Sequence, residues 1–245
     1  MSSTVVPSAL SVRDASPKTL VDTASAIDRR ALARHLDHTV LRPDARRADI
    51  EGACRLAREL GCAGVCINPI HVALARPLLE GSGVKLVAVV GFPFGATYSA
   101  VKVLETELAV RDGADELDMV LPIGQLKDGD LDLVQRDIAA VVRAAGGRPV
   151  KVVVECGLLS DREKRDAARM AVAAGAAFVK TSTGYLGSGA TVHDVTLLRE
   201  TVGPAAAIKA AGGIRFFEDA VALLEAGASR LGTSHTDAVL ASATS

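Results

Sequence analysis

The stretch VKVVVECGLLSDREKRDAARMAVAAGAAFVKTSTG, residues 150–184, decides the fold. It opens with an apolar run at 150–159, continues with a mixed polar and apolar segment at 161–176, and closes with a second apolar run at 177–184. Short valine-rich runs are typical of strands, whereas the spaced alanines of the middle segment are typical of an amphipathic helix. The stretch therefore predicts a strand–helix–strand unit whose two strands run parallel.

The same alternation extends along the chain from residue 35. Helix-like segments at 48–61, 161–176 and 215–228 separate short apolar runs. The strand-like runs are 35–41, 64–69, 84–93, 116–124, 150–159, 177–184, 206–214 and 229–234. Eight strands with intervening helices over about 215 residues predict an α/β fold, a (β/α)8 TIM barrel. An open doubly wound sheet is the alternative, but it would place a Gly-x-Gly-x-x-Gly turn after an early strand, and the sequence has none there.

The domain organisation follows from this count. Residues 26–245 are expected to form one barrel domain, and 49% hydrophobic residues are ample for its core. The Ser, Thr and Pro content of residues 1–25 predicts a short, poorly ordered N-terminal extension.

Charge and cysteine usage limit the partners and the location. A net charge of −1 without a basic block argues against nucleic acid or a membrane surface as a partner. No apolar stretch reaches the roughly 18 residues of a membrane span, and the N-terminus lacks the pattern of a secretory signal. Four cysteines without a Cys-x-x-Cys pair indicate reduced thiols, so a cytoplasmic protein is expected.

Two lysines and two aspartates are expected to meet at one end of this barrel. Lys180 and Lys209 are the last residues of apolar runs, and the active site of such barrels lies at the carboxyl ends of the strands. Because side chains alternate along a strand, Asp118 points inward if its two apolar neighbours face the helices. Asp37 points inward by the same argument, so the four charges are expected to converge on one cavity.

Three roles are open for this cluster from the residues alone. It can be an internal salt-bridge network, although stability residues are expected at the other end of the strands. It can bind an anionic substrate without covalent chemistry. It can also supply a nucleophilic amine, because a second cation nearby disfavours the charged form of a lysine. At a separation of about 6 Å and an effective dielectric constant of about 20, this repulsion is about 3 kcal/mol, which lowers the pKa by roughly two units.

Glycine-rich loops follow the last three strands. TSTGYLGSG (181–189) and AAGGIR (210–215) come directly after the two lysines, and GTSHT (232–236) follows the eighth run. Such loops expose backbone N–H groups, and the loops after the last strands of this barrel frequently bind phosphate. A tight turn explains any single loop equally well, but three at adjacent strand ends favour a phosphate site.

An ordered set of motifs resembles the deoxyribose-phosphate aldolase family. Eight motifs between Asp37 and Ser234 occur in the same order as in that family: DHTVL, GVCINP, VVGFPFG, GADELDMV, VECGLL, FVKTSTG, IKAAGGIR and RLGTS. The resemblance implies a class I aldolase that needs no metal or other cofactor. Its small-molecule substrate would be 2-deoxy-D-ribose 5-phosphate, cleaved reversibly into D-glyceraldehyde 3-phosphate and acetaldehyde. Members are often dimers, so a homodimer is implied, although 3% aromatic residues indicate no interface patch.

The resemblance also implies roles for individual residues. Lys180 is expected to form the Schiff base, Lys209 to hold the pKa of Lys180 down, and Asp118 to transfer protons through an ordered water. Substrate contacts are expected from a second set: Asp37, Cys66, Gly184, Gly212, Gly213 and Ser234. A small buried thiol is an equal alternative for the cysteine.

Three features depart from the family. Tyr185 stands where many members carry Lys, His235 where a second Ser is common, and the C-terminal VLASATS lacks a Tyr that assists proton transfer in some members. These changes bear on phosphate affinity and rate more than on the reaction class. The alternative functions are a Schiff-base aldolase with another donor and a non-catalytic phosphosugar-binding barrel. A metal site is not expected, because His35 and His38 face opposite sides of one strand.

Overall fold

The computed structural model describes residues 28–241 of the chain. Within them, eight parallel strands form a closed barrel in chain order, with the first strand pairing with the last. The strands are β1 (Leu36–Val40), β2 (Gly64–Ile67), β3 (Lys85–Val90), β4 (Glu116–Val120), β5 (Val150–Val153), β6 (Phe178–Lys180), β7 (Ala207–Ala211) and β8 (Arg230–Thr233). The predicted (β/α)8 barrel is confirmed, whereas the predicted lead-in at residues 1–25 lies outside the described residues.

Helices connect the strands on the outside of the barrel. They are α1 (Arg29–Ala33), α2 (Arg47–Leu60), α3 (Val72–Leu79), α4 (Ser99–Arg111), α5 (Ile123–Lys127), α6 (Leu131–Ala144), α7 (Asp161–Ala173), α8 (Val192–Val202), α9 (Phe217–Glu225) and α10 (Thr236–Ala241). Short 3₁₀ turns lie at Pro69–His71, Cys156–Leu158 and Gly203–Ala205. None of the helices in this described part is long and apolar enough to cross a membrane.

Local sequence signals set the ends of the long helices. Ser160 caps α7, because its hydroxyl accepts the backbone N–H of Glu163 while the Glu163 carboxylate accepts the backbone N–H of Ser160. At the other end of a helix, α2 stops at Gly61, which has the left-handed backbone that glycine adopts readily.

The strands are shorter than the predicted apolar runs, because the runs include loop residues. β6 ends at Lys180 as predicted, and residues 181–184 leave the sheet. Lys209, by contrast, does not end its strand. The small residues after it stay paired, and β7 continues to Ala211. Lys209 therefore lies two residues before the end of β7, where it pairs with Lys180.

Alternation along the strands separates two environments. Leu117 and Met119 belong to the large apolar core between barrel and helices, as predicted. The barrel interior holds a much smaller apolar cluster, formed by Leu41, Cys66, Val87 and Val89. The interior also holds a group of charged side chains, and this charged group contains the candidate site.

Candidate active site

Asp118 on β4 is the centre of the charged interior. Its Oδ2 lies 2.8 Å from the Nζ of Lys180 and 2.8 Å from the Nζ of Lys209. Its Oδ1 lies 2.9 Å from the Nζ of Lys151 on β5. The amino groups of the two predicted lysines therefore both contact the same carboxylate oxygen. The predicted inward orientation of Asp118 is confirmed by these contacts.

A second group of charges extends this cluster toward β1 and β8. Asp37 contacts the Nζ of Lys209 at 2.5 Å and the guanidinium of Arg230 at 2.7 Å. Glu116 contacts Lys151 at 2.6 Å and Arg230 at 3.2 Å. The interior network thus contains the carboxylates Asp37, Glu116 and Asp118, and the cations Lys151, Lys180, Lys209 and Arg230.

Burial and charge compete for the protonation states of this network. Burial by itself raises the pKa of Asp118, but the nearby ammonium groups of Lys151, Lys180 and Lys209 outweigh it and hold the pKa well below its usual range. For Lys209, burial opposes the charged form, but Asp118 and Asp37 raise its pKa above the usual value. Asp118 is therefore an anion and Lys209 a cation around neutral pH.

Lys180 differs from the other interior lysines in two ways. It has one carboxylate partner, whereas Lys209 and Lys151 each have two. It also lines the pocket above the barrel, while Lys209 and Lys151 lie fully buried beneath it. Of the three interior lysines, Lys180 is thus the one with the fewest carboxylate partners and the one that faces the pocket.

The pocket has a volume of about 430 Å³, in the usual range for a small-molecule site. Gly184, Gly212, Gly213 and Ser234 line it together with Lys180, so the three predicted glycine-rich loops do meet. Gly212 has a φ of 90°, and a Cβ on it would lie 2.9 Å from the Cα of Gly189. A side chain there would separate the first two loops.

Space for Asp37 comes from a glycine on the neighbouring strand. Gly64 pairs with Asp37, and a Cβ on Gly64 would lie 2.6 Å from the carboxylate Oδ1 and 2.9 Å from the backbone oxygen of Lys85. Real Cβ atoms do not approach other atoms so closely. The absence of a side chain at Gly64 therefore allows a carboxylate to lie inside the barrel at this level.

Not all the predicted contact residues lie at the pocket surface. Cys66 is fully buried beneath it, with its Sγ 3.9 Å from Asp118, and burial raises the pKa of this thiol to about 11. Asp37 is also buried below the pocket. A direct contact of either residue with substrate stays a prediction. Tyr185 and His235, the two departures, do line the pocket.

Sequence reasoning missed part of the cluster. Lys151 is the second residue of an otherwise apolar strand, and Arg230 begins β8. The argument applied to Lys180 could have found Lys151, since a lysine inside an apolar run needs a partner. Glu155 at the end of the same run, VKVVVE, was also missed, although it is fully buried.

Comparisons with known proteins agree with this arrangement. Residues 31–236 match the family model described as DeoC/LacD family aldolase. A curated deoxyribose-phosphate aldolase of Streptococcus pneumoniae is 53% identical over 209 residues, which are 85% of this chain and 95% of that protein.

Solved structures show the same likeness. The deoxyribose phosphate aldolase of Aeropyrum pernix, described as a unique tetramer, superposes with a TM-score of 0.83 at 34% identity, covering 88% of this chain and 92% of that one. An aldolase named QR15 superposes with a TM-score of 0.82 at 37% identity, covering 86% and 94%. The chain is therefore an aldolase, a lyase that belongs to the deoxyribose-phosphate aldolase family.

Proposed function

We propose that the chain reversibly cleaves 2-deoxy-D-ribose 5-phosphate into D-glyceraldehyde 3-phosphate and acetaldehyde through a Schiff base on Lys180. The observation that carries this proposal is the difference between the interior lysines. Lys180 alone among them lines the pocket and has a single carboxylate partner. The curated relative from Streptococcus pneumoniae, which carries the name of this activity, supports the choice of substrate.

The proposed reaction needs a neutral amine at Lys180, and the charges around it bear on that requirement. The ion-pair network contains four cations, Lys151, Lys180, Lys209 and Arg230, and three carboxylates. Glu155 is a further buried carboxylate whose charge interacts with that of Lys180. Lys180 has the fewest ion-pair partners of the four cations, and we assign to Lys209, which Asp118 and Asp37 keep charged, the role of the neighbouring cation.

The proposed reaction begins at Lys180, whose neutral amine attacks the C1 aldehyde, and loss of water gives a protonated imine. A base removes the proton of the C3 hydroxyl and the C2–C3 bond breaks, so that C3 becomes the aldehyde of D-glyceraldehyde 3-phosphate. The electron pair of that bond forms the C1=C2 bond of an enamine, while the π pair of the C=N⁺ bond moves onto nitrogen. Protonation of the enamine at C2 and addition of water to the imine then release acetaldehyde and return the free amine of Lys180. Asp118 contacts the Nζ of Lys180, and Lys209 contacts Asp118. These two residues are the groups that we assign to proton transfer.

The phosphate end of the substrate is assigned to the three loops. Gly184, Gly212, Gly213 and Ser234 line the pocket and offer backbone N–H groups and a hydroxyl. Arg215 also lines it, is exposed, and has no ion pair among residues 28–241. It can supply the positive charge that the family's Lys provides where this chain has Tyr185.

Borohydride trapping with acetaldehyde tests the proposal. Reduction should leave a two-carbon adduct on Lys180, identified by peptide mass spectrometry, and Lys180→Arg should abolish it. A protein that binds deoxyribose 5-phosphate but forms no adduct would contradict aldol chemistry and favour a non-catalytic phosphosugar barrel. Adducts with ketone donors but not with acetaldehyde would indicate the other alternative, an aldolase with a different donor.

We further propose that the chain forms a homodimer through an apolar surface on α4. Exposed apolar side chains form a surface that we call the α4 face: Val101, Leu104 and Leu108 on α4, Tyr98 just before it, and Ile70 on the 3₁₀ turn that packs against α4. Tyr98 is 83% exposed and Leu104 55%, and exposed apolar patches mark interaction sites. Composition did not reveal this face because most of it is aliphatic. Light scattering should give a dimer for the wild type and a monomer for Leu104→Lys, whereas a monomeric wild type would contradict the proposal.

The cytoplasm is the location that we propose for this activity. All four cysteines are free and buried, and unpaired thiols are typical of a reducing compartment.

A further inference from the structure

Glu155 has an unusual backbone conformation for its residue type. It follows β5 with φ 60° and ψ 64°, and it is the one non-glycine residue with positive φ in the described part of the chain. Val154 donates its N–H to the carbonyl of Lys180, and Cys156 donates its N–H to the carbonyl of Thr181. Glu155 is thus the extra residue of a bulge opposite Lys180 and Thr181.

The side chain of Glu155 binds the loop that follows Lys180. One carboxylate oxygen, Oε2, accepts the hydroxyl of Thr183 at 2.5 Å and the backbone N–H of Thr183 at 3.1 Å. The Thr183 hydroxyl oxygen in turn accepts the backbone N–H of Tyr185 at 3.1 Å. A buried carboxylate therefore fixes residues 183–185 through two successive hydrogen-bonded groups.

Three features of Glu155 are unfavourable for stability. Its backbone is strained, whereas a glycine would adopt the same conformation freely. Its carboxyl group is fully buried, and burial raises its pKa despite the bonds from Thr183. Its second oxygen, Oε1, is buried without a hydrogen-bond partner in the described residues. A residue that combines these costs is expected to serve function rather than folding.

The loop fixed by Glu155 forms one wall of the pocket. Thr183, Gly184 and Tyr185 line the pocket next to Lys180. On its other side the loop is attached to β7, since the Thr181 hydroxyl accepts the backbone N–H of Ala211 at 3.1 Å. That bond holds the start of the loop, whereas Glu155 holds Thr183, and the ring of Tyr185 packs edge-on against Phe92.

We propose that Glu155 is a positioning residue, which holds residues 183–185 where they receive the phosphate end of the substrate. It acts through Thr183 and does not touch the reacting atoms. The inference rests on the proposed function, because it concerns the same pocket. It adds that discrimination between phosphorylated and unphosphorylated substrates depends on a carboxylate behind the loop.

Glu155→Gly separates this role from a structural one. Glycine adopts the backbone without strain, so we expect the variant to stay folded, as thermal unfolding would show. We expect kcat/KM for deoxyribose 5-phosphate to fall about tenfold or more, because small misplacements of binding groups have effects of that size. Borohydride trapping of acetaldehyde on Lys180 should change less than about twofold, because Lys180 is held by β6 and Asp118.

Further variants test the route through Thr183. Glu155→Gln keeps an oxygen that can accept both hydrogen bonds. This variant should therefore retain most of the wild-type kcat/KM for deoxyribose 5-phosphate, unlike Glu155→Gly. Thr183→Val should lower the same kinetic constant, and the double variant with Glu155→Gly should be no worse than either single variant. Glu163→Ala is the matched control, because Glu163 Oε2 also accepts a backbone N–H and a hydroxyl from one residue, Ser160, at the start of α7.

The outcomes distinguish this inference from the proposed function. Absence of trapping in the wild type would contradict the proposed function itself. Normal trapping together with an unchanged kcat/KM in Glu155→Gly would overturn the inference alone. An equal fall in trapping and in turnover of the phosphorylated substrate would also overturn it, because the loop would then act on Lys180 and not on the phosphate end.

Discussion

Two buried lysine–aspartate clusters of the described residues, one between helices and one in the barrel, differ in ways that bear on the proposed reaction. Between α4 and α6, Lys102 contacts Asp137 at 2.7 Å and the carbonyl of Val120 at 3.0 Å. In the barrel, Lys209 contacts Asp118 and Asp37 at 2.8 and 2.5 Å. Both lysines are fully buried, so burial and pairing alone do not identify a site.

The two clusters differ in their charges and in their access to solvent. Burial lowers the pKa of Lys102 although Asp137 opposes the shift. The same burial is outweighed at Lys209 by two carboxylates, which raise the pKa. The barrel cluster also reaches the pocket through Lys180, whereas Lys102 is enclosed between helices. The barrel cluster is thus the larger of the two and the one that is open to the pocket.

Lys209→Met should have the largest effect on activity. The variant removes one of the two groups that we assign to proton transfer and leaves Asp118 and Asp37 without their shared cation, so kcat should fall by about 10³-fold. Steady-state kinetics measures the change, and circular dichroism checks that the variant is folded. A kcat within about threefold of the wild type would show that the barrel cluster is structural, like the helix cluster.

Lys102→Met should have its main effect on stability. It leaves the buried carboxylate of Asp137 without its cation, which should lower the free energy of unfolding by about 3–5 kcal/mol. Urea unfolding measures this, and kcat of the folded variant should stay near the wild-type value. The double variant Lys102→Met/Asp137→Leu should recover most of the loss, and a large fall in its kcat would contradict the distinction between the two clusters.

Gly64→Ala tests the space that the barrel cluster requires. Its Cβ would lie too close to Asp37 and to the carbonyl of Lys85, so the barrel must shift at this level. We expect a loss of about 1–3 kcal/mol in the free energy of unfolding, as for other overpacked sites, together with a lower kcat. Gly124→Ala is the control, because a Cβ there meets nothing within 4 Å.

Lowering the pH should have a smaller effect, which acts on stability through the barrel carboxylates. The pKa of Asp118 and that of Asp37 are lowered in the folded chain, where burial is outweighed by neighbouring cations. Such groups stabilise the fold above their unfolded pKa of about 3.9, and this contribution is lost as the pH falls through the folded pKa. The stability difference between wild type and Asp118→Asn should stay constant from about pH 7 to 5 and shrink below about pH 4. A decrease already at neutral pH would contradict these ionised states.

The barrel and two of its key lysines could be predicted because their signals are local. The runs around Lys180 and Lys209 show strand patterns, and the parity of ELDMV orients Asp118. The continuation of β7 beyond Lys209 could not be predicted, because strand ends depend on pairing with neighbouring strands. Glu155 was missed for a similar reason, since a left-handed backbone at a glutamate has no sequence signal.

By itself, the sequence determined the order of strands and helices, the α/β class and the number of eight strand–helix units, since periodicity is a property of neighbouring residues. It also indicated which strand ends carry the lysines and glycines. Only the tertiary structure decided that Asp118 contacts three lysines, that Asp37 meets Arg230, and that Lys180 alone among those lysines opens to the pocket. These contacts join residues far apart in the chain, and barrel closure with its strand register brings them together.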